Sequence, residues 1–115
     1  AKPATPAHDA EAADQPGEFY RLDNLIVNPA GSAGTRFLMA SVAFEVPDQV
    51  AADHLRQHEV QVRDAVVAML QQQTLRMVTE VSARDSLKRL LRDAVAPLAG
   101  KAAWIRVYLP QFVVQ

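Results

Sequence analysis

His54 and His58 stand four residues apart in DHLRQHEV, a spacing that puts two imidazoles on one side of a helix, where they could share a divalent cation. Asp53 or Glu59 would have to supply further ligands, and no HExxH motif accompanies them. The ordinary alternative is two histidines on the solvated edge of an amphipathic helix. We adopt it and assign no metal and no cofactor. Arg63 and Asp64 fall away from the Val62/Val66 stripe, which favours a helix-surface or subunit-interface pair over a buried catalytic acid. The serines and threonines form no GxSxG, and Gly17, Gly31, Gly34 and Gly100 form no phosphate loop. The chain has no Cys, which removes disulfides, thiolate metal sites and Cys nucleophiles. Nothing here makes a case for catalysis, so the chemistry alone ends at an α+β interaction domain.

The charge balance points the same way. Residues 1–18 hold Lys2 against Asp9, Glu11, Asp14 and Glu18, leaving eleven basic and nine acidic residues of the chain's 12 and 13 in the body. Nucleic-acid binding needs a clear basic footprint, and a near-neutral body gives none. The densest basic stretch, RDSLKRLLRD (84–93), reads as a solvated helix face with Asp85/Arg89 and Arg89/Asp93 pairs.

These residues must be positioned by elements that the patterning outlines. The tract AKPATPAHDAEAADQPGE carries no large apolar side chain and is expected to be a flexible tether, residues 1–18, with the folded unit over 19–115. No stretch approaches the roughly 18 apolar residues of a membrane-spanning helix. The chain opens without an initiator Met and is expected to be a piece of something longer. FYRLDNLIV and the alternating TRFLMASVAFEVP predict two strands around a loop at about Asn28–Gly34. In the second, Leu38, Ala40, Val42, Phe44 and Val46 share one face and Arg36, Ser41 and Glu45 the other.

Asp48 can cap a helix whose apolar residues, Leu55, Val62, Val66, Met69 and Leu70, repeat at helical spacing, with Glu59 and Arg63 placed to pair. Running from Gln49 to Gln72, it would be about 36 Å long, so it either spans the sheet or bends near Val60 and Val62. TLRMVTEV allows one short turn capped by Thr74, or an irregular crossing. A second main helix carries the stripe Leu87, Leu90, Leu91, Ala94, Val95 and Leu98, with a weak Ser82/Asp85 capping box before it and a stop at Gly100.

AAWIRVYLPQFVVQ closes the chain as a strand with large apolar side chains in both phases, which calls for cover on both faces or an interface. Trp104, Tyr108 and Phe112 share one phase. Core packing and contact with a neighbouring subunit both fit this row. Pro110 cannot donate to a ladder, so this strand belongs at an edge or bulges there. The fold class is therefore α+β: a small, mainly antiparallel sheet with two main helices, one of them long, in the order β-β-α-(α)-α-β.

Five segments in this order, FYRLDNLIVNPAG, RFLMASVAFEV, VRDAVVAMLQQQT, LKRLLRDAV and VYLPQFVVQ, resemble the periplasmic domain of the FliL family over about Phe19 to Gln115. Shared features are the Val27–Asn28 ending of the first strand, the Arg63–Asp64 pair leading an apolar helix to Thr74, and the closing VYLPQFVVQ. In two places the chain departs from its relatives. It has Glu59, Val60 and Gln61 where many carry a kinking proline, which predicts a straighter helix, and Pro110 to Phe112 in place of a terminal Thr-Glu-Phe.

The resemblance implies an SPFH/stomatin-like fold on a single-pass inner-membrane protein at the flagellar basal body. The membrane would be met only through a transmembrane helix lying outside this chain. It also implies a non-enzymatic homo-oligomeric ring around the flagellar stator proteins, supporting their active state in motility, with tract 1–18 as the spacer to the bilayer. On that basis the subunit contact is placed at His54, His58 and Arg63 of one protomer against strand surface around Tyr108 and Phe112 of the next. A membrane-tethered SPFH-like scaffold unrelated to flagella is the alternative.

Overall fold

Alternation in LMASVAFEV sets the centre of the fold. The computed structural model describes residues 17–115, so residues 1–16 of the expected tether lie outside the described residues. Strands β1 (Glu18–Val27), β2 (Leu38–Val46) and β3 (Arg106–Val114) form one antiparallel sheet in the order β1-β2-β3. The loop between the first two strands runs on to Phe37, longer than expected. Leu38, Ala40, Val42, Phe44 and Val46 are all buried beneath the helices.

Between β2 and β3 come α1 (Gln49–Gln57), α2 (Glu59–Gln71), α3 (Leu75–Thr79) and α4 (Arg84–Val95), with 3-10 turns at Val81–Ala83 and Ala96–Leu98. Asp48 Oδ1 accepts from Ala51 N at 3.0 Å, so the expected cap forms, and Thr74 Oγ1 accepts from Met77 N at 3.2 Å, so of the two readings of 74–81 the capped turn is the one adopted. Leu55, Val62, Val66, Leu70, Leu87, Leu91 and Val95 have no accessible surface. Burying such a side chain contributes about 1.5–3 kcal/mol, which is why these stripes fix the helices on the sheet.

The long helical segment is interrupted at His58, where the expectation was a straighter helix. Its backbone has φ −112 and ψ 31, and its N–H is shared between the carbonyls of His54 and Leu55, each at 3.2 Å. The ring Nδ1 donates to the same His54 carbonyl at 2.7 Å, so a side chain competes with the helix ladder there. The break falls two residues before the expected weak point and lets α1 meet β1 and β2 while α2 meets β1 and α4.

Several predicted local pairs are replaced. The Ser82/Asp85 capping box is absent because 81–83 is a 3-10 turn and α4 starts from Ala83 without a side-chain cap. Glu59 accepts from the Tyr20 hydroxyl at 3.3 Å, and Arg63 Nη2 reaches the Asp23 carbonyl at 3.4 Å, so these two residues bind β1 rather than each other. On α4, Arg89 donates to Ser86 Oγ at 3.1 Å and Arg92 pairs with Asp93 at 3.3 Å, in place of the i, i+4 pairs.

Both edge strands bulge. β1 spends Leu22 to Leu25 against Val42 to Ala40, and Asn24 takes a positive φ of 60 there. β3 spends Tyr108 to Gln111 against Ala43 to Ser41, placing Leu109 and Pro110 opposite Val42 alone. A bulge at Pro110 on an edge strand is what a missing backbone donor requires. It also reverses the phase of β3: Val107 is paired with Phe44 on the helix side, then Phe112 with Ala40 and Val114 with Leu38. One-sided cover therefore serves apolar residues of both sequence phases.

Candidate interaction surface

The phase reversal separates residues that the sequence grouped. Tyr108 pairs with Ala43 on the outer face of the sheet, away from the helices, whereas Phe112 turns inward. Their expected common face is a correction, with the Pro110 bulge as its physical cause. Arg84 of α4 lies over the Phe112 ring, 4.2 Å from its centroid. Its buried Nε has no hydrogen-bond partner among the described residues, so the ring face is what that cation meets. Trp104 precedes β3, and Arg106 stacks over it at 4.4 Å.

On the outer face the registers set Phe19, Glu45 and Arg106 in one row, Arg21, Ala43 and Tyr108 in the next, and Ile26, Met39 and Val113 in a third. Glu45 is only 7 % exposed. Its Oε1 accepts from the Tyr108 hydroxyl at 2.7 Å and from Arg106 Nη1 at 3.4 Å, so the buried carboxylate is paired. That hydrogen bond to Glu45, reinforced by desolvation, raises the Tyr108 pKa above its ordinary value. Gly17 closes over the group: a Cβ there would lie 2.7 Å from Glu45 Cγ, leaving no room for a side chain.

Phe19 packs against Tyr108 with ring centroids 6.0 Å apart, yet both remain exposed, as do Ile26 and Val113. Exposed aromatic and branched side chains on a sheet face that none of the described helices covers make a surface suited to contact. Sequence reasoning named Tyr108 but missed Glu45, Phe19, Arg106, Ile26 and Val113. The available signal was Glu45, a carboxylate on the second phase of a strand whose other polar residue is Ser41.

The helix residues named from the sequence lie elsewhere. The His54 and His58 rings are nearly parallel, their planes 6° apart and their centroids at 6.3 Å. His54 abuts Gly100, and His58 spends Nδ1 on its own helix. No group of three or more His, Cys, Asp or Glu side chains among the described residues could hold a metal ion. Arg63 stands at the β1 side, on an α2 face shared with Glu59, Val60, Asp64 and Val67. Beside it, the Arg21 hydrogen bond at 2.8 Å, followed by one from Ser41, holds the Asp23 carboxyl below its ordinary pKa. The structure thus brings His54 and His58 together, and sets Arg63 by β1 and Tyr108 on β3, the two outer strands.

Comparison with known proteins places this architecture. The family model described as "Flagellar basal body-associated protein FliL" matches residues 19–115. A relative named "Flagellar protein FliL" from Aquifex aeolicus (strain VF5) is 26% identical over 100 residues, covering 86% of this chain. The chain spans 62% of that relative's length. No helix among the described residues is long and apolar enough to cross a membrane. With the match covering every element from Phe19 to Gln115, the chain belongs to the FliL family of flagellar basal body-associated proteins.

Proposed function

We propose that this domain is a non-enzymatic component of the flagellar motor that assembles head to tail with copies of itself around the stator units and supports their active state. The protein would sit in the inner membrane through a single helix outside this chain, with the folded domain in the periplasm. Tract 1–18 would be the spacer, its negative charge keeping it off the anionic bilayer surface.

The observation that carries this reading is the placement of two different contact-prone surfaces at opposite sides of one three-stranded sheet. Arg63 and the neighbouring face of α2 stand by β1, and Tyr108 stands on β3. A contact joining unlike surfaces repeats from copy to copy, and it closes into a ring when the rotation per subunit divides a full turn. In this reading His54, His58 and Arg63 of one protomer meet the strand surface around Tyr108 of the next, with Phe112 held behind that strand. Encircling a stator segment shifts it toward one arrangement only by binding that arrangement more tightly, so the work is done without chemistry.

Reversing the charge in Arg63→Glu is expected to lower the mass measured by light scattering across a concentration series while leaving circular dichroism intact. Unchanged mass would remove this face from the assembly.

A further inference from the structure

A cleft of about 240 Å³ lies between α4 and the first half of β3. Its helix wall is Lys88, Arg89 and Arg92, and its strand wall is the stretch 105–108, including Arg106. Four lining side chains are cationic and none is a carboxylate, although the body as a whole is near neutral. Arg106 is paired with Glu45, but little among the described residues neutralises the three cations on α4. Lys88 has no carboxylate within 4.0 Å among the described residues, and Arg89 is held only by the Ser86 hydroxyl. The Arg92–Asp93 pair is solvent-exposed on both sides, and such pairs hold charge weakly.

The strand wall adds a second feature. Among the described residues β3 pairs with β2 alone, so its other edge presents N–H and C=O groups that none of them pairs. Pro110 and the bulge end that edge in the far half of the strand, so the regular open stretch is the half that the cations flank. Lys88 and Arg92, four residues apart on a helix, are separated by about 6 Å along its axis. Alternate residues of an extended strand repeat at about 6.6 Å, close to that spacing. Ile105 and Val107 supply an apolar floor.

We infer that this cleft receives an extended acidic segment of a partner protein, which adds to β3 as a further strand and sets alternate carboxylates against Lys88, Arg89 and Arg92. Backbone pairing along the open edge gives affinity, and the cationic wall gives specificity. The inference does not depend on ring formation.

The test uses a fluorescein-labelled peptide of about ten residues in which glutamate alternates with threonine, titrated by anisotropy into the whole chain at about 50 mM and about 300 mM salt. Saturable binding that weakens at the higher salt is expected. Lys88→Glu with Arg92→Glu should weaken it roughly tenfold or more, with circular dichroism and light-scattering mass unchanged. Amide hydrogens of 105–109 should gain protection on binding. A peptide of equal charge with proline in place of threonine cannot pair as a strand and should bind at least about tenfold more weakly.

Equal binding of the proline peptide, no gain in protection, or no saturable binding would overturn the inference. So would tighter capture by phosphatidylglycerol vesicles than by the peptide, which would make the cleft a lipid site. The variant Asp9→Asn, Glu11→Gln, Asp14→Asn should bind the peptide as the parent does. A roughly tenfold gain in affinity would instead mean that the chain's own acids occupy the cleft.

Discussion

The Tyr108 hydroxyl donates to Glu45 Oε1 at 2.7 Å, joining edge strand β3 to central strand β2 on the face that none of the described helices covers. Glu45 is buried there, and Arg106 reaches it only at 3.4 Å, so Tyr108 is its shorter contact. Tyr108→Phe keeps the ring against Phe19 and removes the donor. It should cost about 1–2 kcal/mol in urea unfolding, since a buried carboxylate loses its shorter hydrogen bond. Glu45→Gln in the same background should recover part of that loss, because the group deprived of the tyrosine donor is then neutral. Additive costs would count against the hydrogen bond as the cause.

Stability should fall at alkaline pH through Tyr20. Burial, followed by the neighbouring Glu59 charge and hydrogen bond, raises its pKa from 10.0 to about 12. The folded chain therefore holds a proton that the unfolded chain releases. The contribution is complete below pH about 10 and is lost as pH rises through about 12. Tyr20→Phe should flatten the fall in melting temperature across that window. Since Tyr108 is also raised, a tyrosinate absorbance titration of the native protein showing both tyrosines ionising at the ordinary value would refute the assignment.

Gly100 turns the chain from α4 toward β3 at φ +66, and a Cβ there would stand 2.8 Å from His54 Cδ2. Gly100→Ala meets two separate costs, left-handed backbone and a clash with the imidazole, of about 1–3 kcal/mol together. His54→Ala removes only the second. In thermal melts the Gly100→Ala penalty should shrink in the His54→Ala background without vanishing. An unchanged penalty would mean that the ring moves aside freely.

The sequence carried the element order because burial writes itself as periodicity: β2 alternates, and α4 repeats Leu87, Leu91 and Val95 on one side. Local hydrogen-bonding choices were less legible. Asp48 caps its helix as expected and Thr74 caps the turn that the sequence left open, but Ser82 falls inside a 3-10 turn and caps nothing. Glu59 and Arg63 have the spacing of a helix pair, yet each finds a partner on β1, a strand far away in sequence. The placement of the proposed contact residues was half visible for a related reason. Arg63 and Tyr108 could be named from their positions, but the placement of Phe112 depends on where β3 bulges against β2, and strand pairing is a long-range fact. Likewise, the break at His58 comes from a ring reaching back to the His54 carbonyl, which no apolar repeat records.

Pro110 gives the sharpest test of that register argument. The bulge places two residues, Leu109 and Pro110, opposite Val42 and so returns Phe112 and Val114 to the helix side. Deleting Pro110 leaves one residue opposite one. Either Phe112 and Val114 then face outward, exposing their rings and methyls, or the rest of β3 slips by one residue. A slip is resisted at the strand's end, where Gln115 and Phe37 exchange backbone hydrogen bonds of 2.9 and 2.8 Å. Pro110→Ala retains the residue count and should change stability by about 1 kcal/mol or less. The deletion should cost several times more in chemical unfolding, or abolish soluble expression while Pro110→Ala remains soluble. A deletion variant as stable as its parent would show that β3 holds its place through Val107 and Tyr108 alone and that the bulge does not set the phase.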